Sequence, residues 1–365
     1  MKKRHVDLYF LITVFVLLGF GLIMVMSASS EWARNSSFTN GDALYFFKRQ
    51  AIWAVIATFV FAFFALVDYH VWGKFSNIIL GGVGLLLVLV LLVGTEVNGG
   101  KRWIDLGFMQ LQPSEFAKVG LIIWFSWNLA KKEDPLAKFW SGLVPYLGVL
   151  LLTDALIVLE KHLSATVLVT LVSVGLLFIA GMRWKHLIPF GIAGVAGAIG
   201  LIVAEPYRWK RITAFLDPFA DRLGNGYQII QSLYAIASGG LFGLGLGQSR
   251  QKFSYIPEPH NDFIFSIICE ELGLIGAILV TLLFCILIWR GVRISLSAKD
   301  KFGRYLAMGV TMLIAFQVII NIAVVTSSMP VTGMPLPFFS YGGTALTVIM
   351  GCMGLVLNVS AQGKK

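Results

Sequence analysis

The chain has 365 residues, 57% of them hydrophobic and only 13% charged, yet it carries a formal net charge of +10. A soluble two-domain protein of this length keeps about a quarter of its residues charged, so the composition excludes that class and indicates one polytopic helical membrane domain. Lys and Arg in such a chain report loop topology first, and no nucleic-acid partner is expected.

Apolar stretches of the roughly 20 residues needed to cross a hydrocarbon core fall near 8–27, 50–67, 77–94, 114–130, 142–159, 164–181, 186–204, 262–289, 304–329 and 340–358. The expected fold is therefore all-α, with ten transmembrane helices in a single domain over 1–365 and a large external loop, 205–261, between the seventh and eighth. Met1-Lys2-Lys3-Arg4 and Ser27-Ala28-Ser29 imitate a cleavable signal, but the apolar run between them, near 19 residues, exceeds the roughly 7 to 15 of a signal core. It reads as a retained first helix. Intervals sharing a side with the N-terminus hold 16 Lys and Arg, from Lys2, Lys3 and Arg4 to Lys364 and Lys365, against 6 in the short intervals opposite. Both termini are thus expected in the cytoplasm of a multi-pass cell-membrane protein surrounded by membrane lipids. Cys269, Cys285 and Cys352 all lie in apolar spans and read as small hydrophobes.

The polar residues that interrupt this pattern carry the chemistry. Lys101, Arg102 and Trp103 follow Asn98-Gly99-Gly100 in a short external loop. They are either solvated loop charges or, with Arg208 and Arg211, cations grouped for an anion such as a pyrophosphate. In Gln112-Pro113-Ser114-Glu115-Phe116-Ala117-Lys118 the proline suits a first helical turn and makes Glu115 and Lys118 neighbours at i,i+3. Lys118 then lies roughly 7 to 8 Å below the start of the span. The pair is either a self-neutralising structural bridge or a cation held ready for an anionic lipid head group.

In the long external stretch, Tyr227 to Ile236 is expected to form a short helix on the bilayer that roofs a cleft. Gly239 to Arg250 is glycine-rich but lacks the Gly-Lys-Ser/Thr ending of a phosphate loop and reads as a closely packed turn. Asp262 follows Tyr255-Ile256-Pro257-Glu258-Pro259-His260-Asn261 where the chain re-enters the membrane, and an acid there is a functional-site candidate by its cost alone. Glu270, about 80° round a continuous helix from Asp262, either shares its cavity or bonds to neighbouring helices, while Glu271 points away. Gln317 and Asn321, at i,i+4, read as hydrogen-bond glue between helices. No His/Cys/Asp cluster has metal-ligand spacing, so no built-in cofactor is expected, although a divalent cation (Mg or Mn) could assist an anionic ligand.

Taken in order, Asn98 to Ile104, Gln112 to Lys118, Tyr227-Gln228-Ile229-Ile230-Gln231-Ser232, Gly243-Leu244-Gly245-Leu246-Gly247 through Asp262-Phe263-Ile264-Phe265, and Pro330-Val331-Thr332-Gly333-Met334-Pro335-Leu336-Pro337-Phe338-Phe339-Ser340-Tyr341-Gly342-Gly343 resemble the SEDS family of bacterial cell-wall polymerases, which includes FtsW, RodA and SpoVE. The resemblance spans nearly the whole chain. One segment departs: the family commonly has Gln-Pro-Asp-Leu-Gly-Thr where this chain reads Glu160-Lys161-His162-Leu163-Ser164-Ala165-Thr166. The resemblance implies a peptidoglycan glycosyltransferase that joins lipid II into β-1,4 glycan on the external membrane face and works with a class B penicillin-binding protein transpeptidase. Asp262 would be the general base of an inverting displacement, with Glu115, Lys118, Lys101, Arg102, Arg208 and Arg211 binding the substrate. A lipid II flippase is the competing reading.

Overall fold

The computed structural model describes residues 6–97, 100–107, 109–224, 226–252 and 256–363. The terminal cations Lys2, Lys3, Arg4, Lys364 and Lys365, and the motif residues Asn98, Gly99 and Tyr255, lie outside the described residues. In chain order the helices are α1 (Leu8–Asn35), α2 (Tyr45–Leu66), α3 (Tyr69–Lys74), α4 (Ser76–Val93), α5 (Pro113–Ala130), α6 (Val144–Leu159), α7 (Leu163–Ile179), α8 (Trp184–Val203), α9 (Pro206–Leu216), α10 (Tyr227–Gly239), α11 (Ile264–Leu296), α12 (Lys301–Val325) and α13 (Gly343–Gln362). All ten expected spans fall on helices. Eight of these are long and apolar enough to cross a membrane, α6 counted with the π turn Phe139–Leu143 before it. The other two are α7, apolar but 17 residues long, and α5, whose Glu115 and Lys118 dilute its hydropathy.

The fold is not purely helical. Strands β1 (Thr95–Val97), β2 (Gly100–Asp105) and β3 (Gln110–Leu111) form a small antiparallel sheet in order β1-β2-β3 between α4 and α5. Charge and aromatic residues hid its short period-2 pattern from a reading built on apolar runs.

The two ends of the bundle are tied differently. At one end Asp7 caps α1 by accepting from the Phe10 N–H, its own N–H donates to Ser360 Oγ at 2.9 Å, and its carboxylate pairs with Arg290. The described starts and ends of the chain therefore meet at that end. Asp300 caps α12 there and accepts from the Tyr69 hydroxyl. α1 runs unbroken through Ser27-Ala28-Ser29, which are buried, with Ser27 Oγ donating to Glu271 at 2.5 Å. α12 and α13 are the most buried spans, whereas α8 buries none of its residues and sits at the periphery against α9.

Between α12 and α13 the segment 330–342 dips into the bundle as irregular backbone. Phe338 and Phe339 reach the middle of α1, where Gly21 is needed, because a Cβ there would lie 2.1 Å from the Phe338 carbonyl oxygen. Non-helical backbone at this depth is tolerated only when its polar groups find partners in the protein. Gln317 Nε2 donates to the Pro335 carbonyl at 2.9 Å, and Asn321 Nδ2 donates to the Met334 carbonyl at 2.7 Å and to that of Asp262 at 2.8 Å. Gln317 and Asn321 thus hold a re-entrant loop, which corrects their reading as glue between helices.

Candidate functional site

Beside that loop, at the end of the bundle that carries the sheet, lies a cavity of about 770 Å³. Asp262, Glu115, Lys118, Arg102 and Arg211 all line it, brought together from the turn just before α11, from α5, from β2 and from α9. A second cavity of about 470 Å³ adjoins it, walled mainly by apolar residues of α7, α8, α9 and the re-entrant loop. Arg102, His162, Arg211, Thr332 and Met334 line both.

Glu115 and Lys118 meet at 2.7 Å with side chains only 5% and 3% exposed. Pro113 starts α5 and places both on its first turn and a half, facing inward. Lys118 lies against one carboxylate oxygen, and Glu115 Oε2 has no hydrogen-bond partner, so the pair keeps an acceptor in reserve. Arg102 spans the sheet and the α6–α7 turn: its Nη2 donates to the Lys161 carbonyl at 2.7 Å and its Nε to that of Glu160 at 3.4 Å. Arg211 Nη1 donates to the Val331 carbonyl at 2.9 Å, fixing α9 over the re-entrant loop.

Asp262 is held by its backbone. Its carboxyl faces Gly333, whose left-handed φ of 70° and missing side chain leave room for it, since a Cβ there would stand 3.3 Å from Oδ2. Burial pushes the Asp262 pKa up to about 6, with Arg211 and Arg102 restraining the rise and Glu258 adding to it. A carboxyl tuned to this range is suited to accept a proton near neutrality. Burial likewise raises Glu160 to about 8, with Arg102 opposing.

Several expected members fall elsewhere. Lys101 lines neither cavity; it is exposed, with Nζ 3.5 Å from the Leu91 carbonyl, because alternation along β2 turns it away from Arg102. Arg208 lines only the smaller cavity and donates to the Leu201 carbonyl. Glu270 does not share the Asp262 cavity: α11 begins only at Ile264, so Asp262 lies outside the helix, and Glu270 accepts from Ser249 Oγ at 2.5 Å and the Arg250 N–H at 2.9 Å, while Glu271 pairs with Lys252 at 3.4 Å. These two acids organise the glycine-rich turn. Among the described residues α10 contributes nothing to the cavity wall; α9 and the re-entrant loop cover it.

The cavity also includes residues outside the candidate set. Tyr45, Arg49 and Trp53 come from α2, Trp103 and Asp105 from β2, and His162 from the turn before α7. Arg49 beside the aromatic start of a span was a legible signal, whereas Trp53 looked like an ordinary interfacial indole; Trp103 stands in the motif already singled out with Lys101 and Arg102.

The family model for the FtsW, RodA and SpoVE cell cycle proteins matches residues 8–365. Stage V sporulation protein E of Bacillus subtilis (strain 168) is 45% identical over 365 residues, covering 100% of this chain and 99% of that protein. A probable peptidoglycan glycosyltransferase FtsW of Geobacter sp. (strain M18) is 39% identical over 358 residues, 98% of this chain and 97% of its own. Among solved structures, a chain of a peptidoglycan synthase complex that coordinates polymerization and crosslinking superposes with a TM-score of 0.81 at 29% identity, covering 97% of both chains. The rod shape determining protein RodA of Thermus thermophilus gives 0.72 at 26% identity over 99% of this chain and 98% of that one. With a match along the whole helical bundle in both sequence and shape, this chain belongs to the FtsW, RodA and SpoVE family of cell cycle proteins.

Proposed function

We propose that the protein is a peptidoglycan glycosyltransferase that polymerises lipid II on the external face of the bacterial cytoplasmic membrane, through ten crossings with both termini in the cytoplasm. One observation carries this reading: a single cavity lined by an acid with a pKa near neutrality, a buried Glu–Lys pair and two arginines. The probable glycosyltransferases among its relatives support it.

In this reading Asp262 takes the proton of the acceptor sugar hydroxyl as its oxygen bonds to the donor anomeric carbon. The bond from that carbon to the undecaprenyl diphosphate breaks, and the electron pair leaves with the diphosphate. One displacement on an α-linked donor gives a β-1,4 link. Charge grows on the leaving diphosphate, and fixed cations aimed there lower the barrier without reorganising; Lys118, Arg102 and Arg211, which line the same cavity, would supply them. Mg²⁺ or Mn²⁺ carried in with the diphosphate would add to this neutralisation. A class B penicillin-binding protein is the proposed partner, supported by the likeness to a chain of a complex that joins polymerization to crosslinking.

Purified protein in detergent, supplied with lipid II, is expected to yield glycan polymer on a gel. No second compartment exists in that assay, so a transporter that moves lipid II without joining it would give none. Within the same assay Gly333→Ala is expected to lower the initial rate by about 10- to 100-fold. The new methyl meets the Asp262 carboxyl, and a misplacement near 1 Å can cost about 100-fold. The left-handed φ adds about 1–2 kcal/mol of strain, so the unfolding temperature should fall by only a few degrees and the variant should stay folded in the assay.

A further inference from the structure

His162 stands in the wall common to both cavities, at the turn between α6 and α7. Its Nδ1 lies 3.1 Å from Ser114 Oγ and 3.4 Å from Gln112 Nε2. With the Gln112 amide nitrogen turned to the ring, Nδ1 is assigned as the acceptor and the ring proton to Nε2. Among the described residues Nε2 has no protein partner, and it is absent from the buried atoms sealed away from solvent. Burial and the nearby charges of Arg102 and Lys118 push the His162 pKa down to about 3, so the ring is neutral at physiological pH. The result is a fixed, uncharged N–H at the junction of a polar cavity and an apolar one, beside Arg102 and Arg211.

Building on the proposed glycosyltransferase reading, we propose that His162 is a positioning residue that donates its Nε2–H to a diphosphate oxygen, holding an isoprenoid diphosphate across the junction with its chain in the smaller cavity. The apolar wall of that cavity, with Ile202, Ile212, Ile320 and Val331, fits the chain. The two shared arginines fit the diphosphate charge, and a neutral donor adds a directed hydrogen bond without repelling them.

Full-length protein in detergent would be titrated with farnesyl diphosphate, farnesyl monophosphate and farnesol, reading tryptophan fluorescence. Wild type is expected to prefer the diphosphate to the alcohol. His162→Ala should weaken diphosphate binding by about tenfold or more, as for loss of a hydrogen bond to a charged group. His162→Gln, which returns an N–H near the same point, should stay within about threefold of wild type, and farnesol affinity should be unchanged throughout. Equal losses for diphosphate and farnesol would mean a merely structural role and overturn the proposal, as would an unchanged diphosphate affinity in His162→Ala or no preference for the diphosphate in wild type. The readout is separate from polymer formation: a protein that binds the diphosphate but makes no glycan would overturn the proposed function and leave this assignment standing.

Discussion

Asp262→Ala and Asp262→Asn are both expected to lose glycan formation from lipid II by about 100- to 10,000-fold, the usual contribution of a general base. Neither should lose the fold. The Asp262 carboxyl is half-buried and its main contact to the rest of the protein runs through its backbone carbonyl, which accepts from Asn321 and survives both substitutions. The sign of the stability change distinguishes this assignment from a structural one. Burial raises the Asp262 pKa to about 6 in the folded protein, above the value near 3.9 of an unfolded chain. Folding therefore favours the protonated form, and the group contributes less to stability as pH rises from about 4 to about 6. Asn, neutral at every pH, should leave the unfolding temperature at pH 7.5 equal to or above wild type while activity disappears. The same shift sets the pH profile: as the base must be ionised, wild-type rate should fall by about tenfold per unit below pH 6 and level off above it. Near-normal polymer from Asp262→Asn, or a flat profile between pH 5 and 7, would remove Asp262 from the mechanism.

Lys118→Met is expected to abolish activity and also to destabilise the protein by about 3–5 kcal/mol, because it strands the Glu115 carboxylate in a buried site with no counter-charge. The single variant alone would not separate catalysis from structure. The double variant Glu115→Leu/Lys118→Met does, since replacing a whole buried ion pair by apolar side chains is commonly neutral or stabilising. Its thermal stability should return to that of wild type, and its polymerisation should remain absent, because the cavity still lacks the cation proposed to face the leaving diphosphate. Recovery of polymer in the double variant would mean that the bridge serves only the fold. Glu115 Oε2, buried and without a partner, gives a further reason to expect more than a bridge, since a purely structural carboxylate would satisfy both oxygens.

The helical bundle was legible from the chain alone, because a hydrocarbon layer demands long apolar runs and leaves each of them visible in the sequence. All ten intervals lie on helices, and the interruptions at Asp262, Glu115 and Lys118 stood out because ionised groups are costly in that setting. The small sheet was not legible. Its strands are short, and two of its charges, Lys101 and Arg102, differ only in which face the alternation gives them. One turns into the site and the other to solvent. Glu270 was misplaced for a related reason: a wheel projection from Asp262 assumes that residue belongs to the helix, and α11 starts only at Ile264.

The amino-acid sequence by itself determined the membrane class, the apolar helices and the identity of the costly polar residues, since each follows from local composition and from the energy of putting charge in lipid. Only the tertiary structure decided which of those residues meet. Asp262 comes from the turn just before α11, Lys118 from α5, Arg102 from β2 and Arg211 from α9, and their convergence depends on a re-entrant loop whose backbone is held by Gln317 and Asn321. Such contacts join residues far apart along the chain, so no local pattern records them.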